Sequence, residues 1–283
     1  MVITGTYRQS VSFGGDTFFA IFGGDTGFLA KYSPSGGHLW SRRFDGGSAN
    51  YGRGVAIDPG DNILITGYFN GWINFGGGQL NAAAAFAPNI FIAKFAPTGA
   101  YGWAKAHGDS NTVKAMAIAV DSNADVVIAG EFHGQTDLGG GTLPGSAMYN
   151  DVFVAKYAGS DGSFRWDEAI TGTLGAGPTA IATDAQNNVL VTGFYYGTFN
   201  FGGLSLSSLM GQYDVFVGKY SSSGTRIWAE SFGGTGTDQG LGLAVDNAGY
   251  AVVTGGFSGS ASFGSQTLTS AGSYDGFVLR LDP

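Results

Sequence analysis

The sequence predicts an all-β fold, a β-propeller of about five blades held in a single domain over residues 1–283. Three observations predict it. The first is a repeat. Trp40, Trp103, Trp166 and Trp228 stand about 63 residues apart, and Gly5, Gly67, Gly130, Gly193 and Gly255 keep the same spacing, as do Lys31, Lys94, Lys156, Lys219 and Arg280. A period of this length marks stacked supersecondary units. The second is run length: apolar stretches of four to seven residues, rich in β-branched and aromatic side chains, end at Gly, Asn, Asp or Ser. The third is composition. Charged residues are 12% against a usual share of roughly 25%, and there are 51 glycines without a three-residue period, which suits many turns joining buried strands and excludes collagen.

The fourth unit displays the elements in order. Thr179–Asp184 reads as a strand, Ala185–Asn188 as a turn, and Val189–Gly193 as the next strand. Phe194–Gly203 and Leu204–Ser208 read as an added hairpin or extended strand pair that bends at Phe201-Gly-Gly203, as Phe75-Gly-Gly77 and Leu138-Gly-Gly140 do elsewhere. Asp214–Tyr220 is a third strand, and Arg226–Phe232 a fourth that carries the Trp. Alternation in Phe153–Tyr157 puts Phe153, Ala155 and Tyr157 on one face and Val154 and Lys156 on the other. Both faces are largely apolar, so both need cover, and stacked sheets provide it. The repeat units fall at about 1–54, 55–116, 117–179, 180–241 and 242–283. The first lacks the strand that ends in Asp and the last lacks its Trp strand, so one composite or incomplete blade is expected. Unpaired edge strands would also invite self-association.

Several strings carry a family resemblance. Asp151-Val-Phe-Val-Ala-Lys-Tyr157, Trp228-Ala-Glu-Ser-Phe-Gly-Gly234, and Leu243-Ala-Val-Asp246 leading to Val252-Val-Thr-Gly255 resemble the SBBP-type bacterial β-propeller repeat, in a long variant with a Phe-Gly-Gly insert. The resemblance runs over essentially the whole chain. It implies a propeller and an extracellular or cell-surface setting, and it brings no catalytic signature or cofactor with it.

Composition limits the partners. The net charge is −8 and no Lys/Arg cluster occurs, which argues against nucleic acid and anionic membranes as partners. No apolar run reaches the ~18 residues of a membrane helix. There is no cysteine, hence no disulfide or thiolate metal site. The Lys column pairs with an Asp column, Lys31 with Asp58, Lys94 with Asp121, Lys156 with Asp184 and Lys219 with Asp246, most simply as a repeated structural ion pair or turn cap. Oxygen-rich turns could hold Ca²⁺, but their carboxylates thin out along the chain, and neither a metal nor a cofactor is expected. Enzyme signals are sparse. His38, His107 and His133 lack obvious partners, and the adjacent Asp167 and Glu168 would face opposite ways on a strand. No catalytic residue is assigned.

Columns shared by every repeat describe the scaffold, so function is sought where repeats disagree. The flanks of the aromatic that follows each Val-Thr-Gly vary, and they give Tyr68, Asn70, Glu131, His133 and Tyr196 as candidate ligand-binding residues. Trp72, which stands outside the Trp column, joins them. Aromatic, amide and carboxylate side chains of this kind could stack on and hydrogen-bond a sugar. The expected function is a non-catalytic extracellular recognition or adhesion module, part of a larger surface or secreted protein, that binds a protein or glycan. A lectin-like propeller and a purely structural spacer or propeller fragment are the alternatives.

Overall fold

A computed structural model describes residues 1–20, 24–208 and 212–283, and among them every regular element is a β-strand. The first unit holds β1 (Val2–Tyr7), a hairpin of β2 (Ser10–Ser12) and β3 (Thr17–Phe19), then β4 (Thr26–Tyr32), β5 (His38–Arg43) and β6 (Asp45–Gly46). The second holds β7 (Asn50–Ile57), β8 (Ile63–Phe69), the hairpin β9 (Trp72–Asn74) and β10 (Gln79–Asn81), then β11 (Asn89–Phe95) and β12 (Tyr101–His107). The third holds β13 (Val113–Val120), β14 (Val126–Phe132), β15 (Thr136–Asp137), β16 (Thr142–Leu143), β17 (Asp151–Tyr157) and β18 (Phe164–Gly172). The fourth holds β19 (Ala176–Thr183), β20 (Val189–Tyr196), β21 (Thr198–Phe201), β22 (Leu204–Ser207), β23 (Tyr213–Tyr220) and β24 (Arg226–Gly234). The fifth holds β25 (Gln239–Val245), β26 (Ala251–Phe257), β27 (Ser260–Phe263), β28 (Gln266–Thr269) and β29 (Asp275–Leu281).

The main strands of each unit pair antiparallel in chain order: β7-β8-β11-β12, β13-β14-β17-β18 and β19-β20-β23-β24. The outer units form β1-β4-β5 and β25-β26-β29. One composite or incomplete blade was the expectation. Among the described residues the two ends form separate three-stranded sheets, with β1 and β29 each paired inside its own unit.

The first strand of the second to fifth units begins earlier than the repeat boundaries imply, at Asn50, Val113, Ala176 and Gln239. A bulge accounts for the difference: the register against the second strand shifts between Gly52 and Gly54, Ala115 and Ala117, Pro178 and Ala180, and Gly240 and Gly242. An extra residue breaks the period-two alternation, so the part before the bulge does not read as strand. The bulge also explains the Gly column. A Cβ at Gly67 would collide with the Tyr51 carbonyl, at Gly130 with that of Lys114, at Gly193 with that of Gly177 and at Gly255 with that of Gln239.

The added hairpins do not extend their own sheets. β21-β22 continues the third sheet through β18, β27-β28 pairs with β24 of the fourth unit, and β9-β10 pairs with β6 from the tail of the first. Each of these three hairpins therefore staples its unit to the one before, whereas β15-β16 and β2-β3 form two-stranded sheets of their own.

Four apolar cores lie between successive sheets. Leu29 packs with Ile63, Ile65 and Phe91; Leu64 and Ile92 with Val126, Ile128 and Phe153; Val127 and Val154 with Val189, Val191 and Phe216; Val215 and Val217 with Val253 and Phe277. The two faces predicted for Phe153–Tyr157 are both fully buried, as stacking requires. The first strands also pack in series, β7 against β1 and β13, and β19 against β13 and β25. Among the described residues no core cluster joins the fifth sheet to the first.

The Asp and Lys columns are structural. Asp58 Oδ1 accepts from the backbone N–H of Gly60 (2.8 Å) and Asn62 (2.9 Å), and Asp121, Asp184 and Asp246 cap their turns in the same way. In the middle three sheets the second oxygen takes the lysine of the same sheet, Lys94 on Asp58 (2.8 Å), Lys156 on Asp121 (2.6 Å) and Lys219 on Asp184 (3.0 Å), not the lysine that precedes it in sequence. Burial pushes the Asp58 and Asp184 carboxyls up, but bonds from lysine and asparagine outweigh it and leave both below the usual range. The first three lysines of the column and the Trp beside each then reach the next sheet. Lys31 Nζ and Trp40 Nε1 both donate to the Pro97 carbonyl (2.9 and 3.2 Å), Lys94 and Trp103 to that of Gly159 (2.7 and 3.2 Å), and Lys156 and Trp166 to that of Ser222 (3.4 and 3.0 Å).

Candidate binding surface

The strands that place the variable residues run away from the Asp turns, so these residues gather at the opposite end of the sheets. There a chain of polar and aromatic contacts crosses from the first unit to the fourth. Arg8 Nη2 donates to Asp25 (2.8 Å), and Tyr51 donates its hydroxyl to Asp25 Oδ2 (2.8 Å). The bond from Arg8 holds the Asp25 carboxyl below its usual range, while burial and then Asp25 push the Tyr51 phenol up to about 12. Tyr51 and Tyr68 stack with centroids 4.6 Å apart, because Tyr51 on β7 lies directly opposite Tyr68 on β8. Arg53 donates to the Tyr68 hydroxyl (2.7 Å), and the Lys114 ammonium lies 5.7 Å from the Tyr68 ring. Lys114 also pairs with Glu131 (2.9 Å), its cross-strand neighbour, and Asn150 Nδ2 donates to Glu131 Oε2 (3.2 Å).

Beyond Glu131 the surface opens into a groove of about 350 Å³ between the third and fourth sheets. Glu131, Asn150, Leu174, Phe194 and Tyr213 line it, with Met148 at its rim, 76% exposed. Asp151 fixes one wall. This fully buried carboxylate opens β17 and accepts from the backbone N–H groups of Ser146 and Gly172, which ties the segment 144–150 to the end of β18. Burial raises the Asp151 pKa, and the two backbone donors and His133 partly offset it. Asn150 is held through its carbonyl by Ala176 N–H (3.0 Å). Tyr213 packs edge-on to Phe194 (5.3 Å) and near Tyr196 (5.7 Å), giving the groove an aromatic wall facing a carboxylate and an amide. Other hollows at Trp40, Trp166 and Trp228 recur with the repeat and belong to the seams of the scaffold.

Of the residues expected to bind, Glu131 lines this groove and Tyr196 stands beside its aromatic wall. Tyr68, a candidate ligand-binding residue in the sequence, is only 8% accessible, its ring clamped between Tyr51, Arg53 and Lys114. Asn70 bonds through its backbone N–H to Ala49 at the turn after β8. Trp72 is half-buried in the β9-β10 hairpin and lies so close to Gly47 that no Cβ fits there. His133 donates its backbone N–H to Thr112 (3.0 Å). Among the described residues no ring contact or side-chain hydrogen bond joins Asn70 or Trp72 to the groove, and His133 reaches it only through its charge on Asp151. Sequence reasoning missed Lys114, Asn150 and Tyr213. Lys114 follows from register opposite Glu131, and Asn150 and Tyr213 end the variable segments that precede β17 and the Asp of β23.

Asp167 and Glu168 point to opposite faces, as expected of neighbours on a strand. Asp167 joins Tyr157 and Asp137, while Glu168 acts on Tyr220 of the next sheet. Burial and Asp137 push Asp167 up to about 6, and burial lowers His107, stacked 5.1 Å from Tyr157, to about 4. These groups lie inside the sheet seam, apart from the groove. Among the described residues no three His, Asp or Glu side chains converge as a metal site.

Stacked antiparallel sheets with a repeated strand order define an all-β repeat protein with a propeller-like fold. No protein-family profile matches the chain. It is similar to an uncharacterized WD repeat-containing protein, L264, of Acanthamoeba polyphaga mimivirus, with 27% identity over 147 residues. The match takes in 47% of this chain and 11% of the relative, so the chain spans only a small part of that protein's length.

Proposed function

We propose that this chain is a non-catalytic recognition module, a single propeller-like domain of about five blades that binds a protein or glycan displayed on a surface outside the cell. The observation that carries the reading is the groove of Glu131, Asn150, Phe194 and Tyr213, a hollow built from positions where the repeats differ. Its supports are rigid: Lys114 and Asn150 orient Glu131, and Asp151 anchors the facing segment. A pre-ordered shallow surface of this kind suits weak contacts multiplied by valency. The resemblance to SBBP-type repeats supports the extracellular setting, and the likeness to a WD repeat protein supports a scaffold rather than an enzyme. The net charge of −8 disfavours nucleic acid and anionic membranes as the partner.

A glycan is favoured as a second reading by one observation, the aromatic wall of Phe194 and Tyr213 set opposite a carboxylate and an amide. Aromatic faces cover the apolar side of a sugar while the polar groups bond its hydroxyls. The test is binding of the multivalent protein to untreated, protease-treated and glycosidase-treated cells, and to a glycan array. The proposal expects binding that Tyr213→Ala abolishes. Loss after glycosidase selects the glycan and loss after protease the protein. Binding that survives Tyr213→Ala and Glu131→Gln together overturns the groove as the site.

A further inference from the structure

The forward face of the fifth sheet is uncovered in a way no other sheet is. Leu29, Ile92, Val154 and Val217 occupy one column, and each is wholly buried because the next sheet lies on it. Val278 holds that column in β29 and is 76% exposed. Its cross-strand neighbour Thr254 is exposed too, whereas the equivalent Thr66 and Thr192 are fully buried. At the other end, the backward face of the first sheet is thinly covered. Ile65, Phe91 and Phe95 of the second sheet are sealed by the sheet before, while their equivalents Ile3, Phe28 and Tyr32 are only partly buried.

The repeated latch matches these two faces. Three lysines each donate to a carbonyl in the turn of the following sheet, at Pro97, Gly159 and Ser222. Arg280 holds the lysine column in the fifth sheet, its guanidinium 3.5 Å from the centre of the Tyr250 ring. The matching carbonyl of the first sheet is that of Pro34, and among the described residues no side chain donates to it. One end thus presents an apolar residue and a spare donor, and the other presents apolar rings and a spare acceptor, in the arrangement the internal interfaces already use.

We propose that the fifth-sheet face binds the first-sheet face of a second copy of this chain, with Val278 against Ile3 and Phe28 and Arg280 on the Pro34 carbonyl. The contact is heterologous, so it builds a closed ring of copies if the rotation closes and a filament if it does not. It joins faces, and so differs from association through free strand edges.

Sedimentation velocity over a range of loading concentrations tests this. Wild type is expected to form species above the 29.1 kDa monomer as concentration rises. Val278→Asp places a carboxylate in the apolar contact and is expected to weaken association by about a hundredfold while leaving thermal unfolding unchanged, because Val278 is exposed in the single chain. Ile3→Asp blocks the other face. Mixing the two variants leaves one intact pair of faces, so a 1:1 dimer is expected and nothing larger. A wild type that stays monomeric at every concentration overturns the proposal, whether its faces are bare or closed on each other. Association that Val278→Asp does not weaken, or variants whose mixture forms no dimer, overturns it as well.

Discussion

Replacing Lys156 by Met tests the reading of the Lys and Asp columns as a repeated structural pair. Lys156 is 4% exposed and Asp121 not at all, with 2.6 Å between Nζ and Oδ2. Removing the cation strands a buried carboxylate, and breaking such a pair from one side costs about 3–5 kcal/mol. The three copies of the pair differ in one respect that sets their order. Asn62 Nδ2 also bonds Asp58 Oδ2 (3.0 Å), and Asn188 Nδ2 bonds Asp184 Oδ2 (2.8 Å), but the same position in the third sheet is Asp125, which has no donor to lend. Lys94→Met and Lys219→Met each leave a partnered oxygen and are expected to cost only about 1–2 kcal/mol. Asp121→Asn added to Lys156→Met keeps the turn cap through its amide oxygen and removes the stranded charge. It should return stability to within about 1–2 kcal/mol of wild type, with a coupling of a few kcal/mol in the double-mutant cycle. Urea unfolding of these four variants and of Asp121→Asn alone reads this out. A cost below about 1 kcal/mol for Lys156→Met, or a cost for Lys94→Met that equals it, would refute the argument.

Other outcomes follow from the same structure. His107 is held to about 4 in the fold, below its unfolded value, so the folded state resists the proton that the unfolded chain accepts, and stability is lost as pH falls from about 6.5 towards 4. Asp167, raised to about 6, acts in the opposite sense across the same range, so the contribution is best read as the difference between wild type and His107→Phe, which should shift by up to about 3 kcal/mol between pH 7 and pH 4. A flat difference would remove His107 as the cause. Gly67→Ala drives a Cβ into the Tyr51 carbonyl and should cost at least about 3 kcal/mol, whereas Gly5→Ala, which meets only the Phe28 ring because the first sheet has no bulged strand beside it, should cost about 1 kcal/mol or less in the same unfolding assay. Ala124 sits at φ 64 in its Asp turn, so Ala124→Gly is expected to raise stability by about 1 kcal/mol, seen as a higher urea midpoint.

What could be read in the sequence was what the repeat expresses in side chains. The Trp, Lys, Asp and Gly columns all proved to be scaffold, and strand alternation placed Phe153, Val154 and Ala155 on the correct faces. Bulges hid the starts of β7, β13 and β19, since an extra residue breaks the alternation that marks a strand. The hairpins were visible, but their partner was not, because backbone pairing of β21 with β18 leaves no trace in side-chain pattern. The wrong lysine was set beside each aspartate for a similar reason: sequence distance favoured the lysine before the turn, while sheet geometry brings the one after it. At the candidate binding surface, variation between repeats pointed to Glu131 and Tyr196 but equally to Tyr68, which variation alone does not distinguish from a buried clamp. Asn150 and Tyr213 reach the groove through segments whose course depends on backbone anchors such as Asp151.

Repeated positions build the fold, and we propose that unrepeated positions at the groove recognise the partner. The most direct measurement is cell-surface binding of multivalent protein by Tyr213→Ala and by Tyr274→Ala, each with its thermal unfolding. Both rings are exposed, 39% and 55%, but only Tyr213 lines the groove. Tyr213→Ala is expected to lose binding and Tyr274→Ala to keep it, with both variants folded as wild type. Equal binding by the two variants would contradict the proposal.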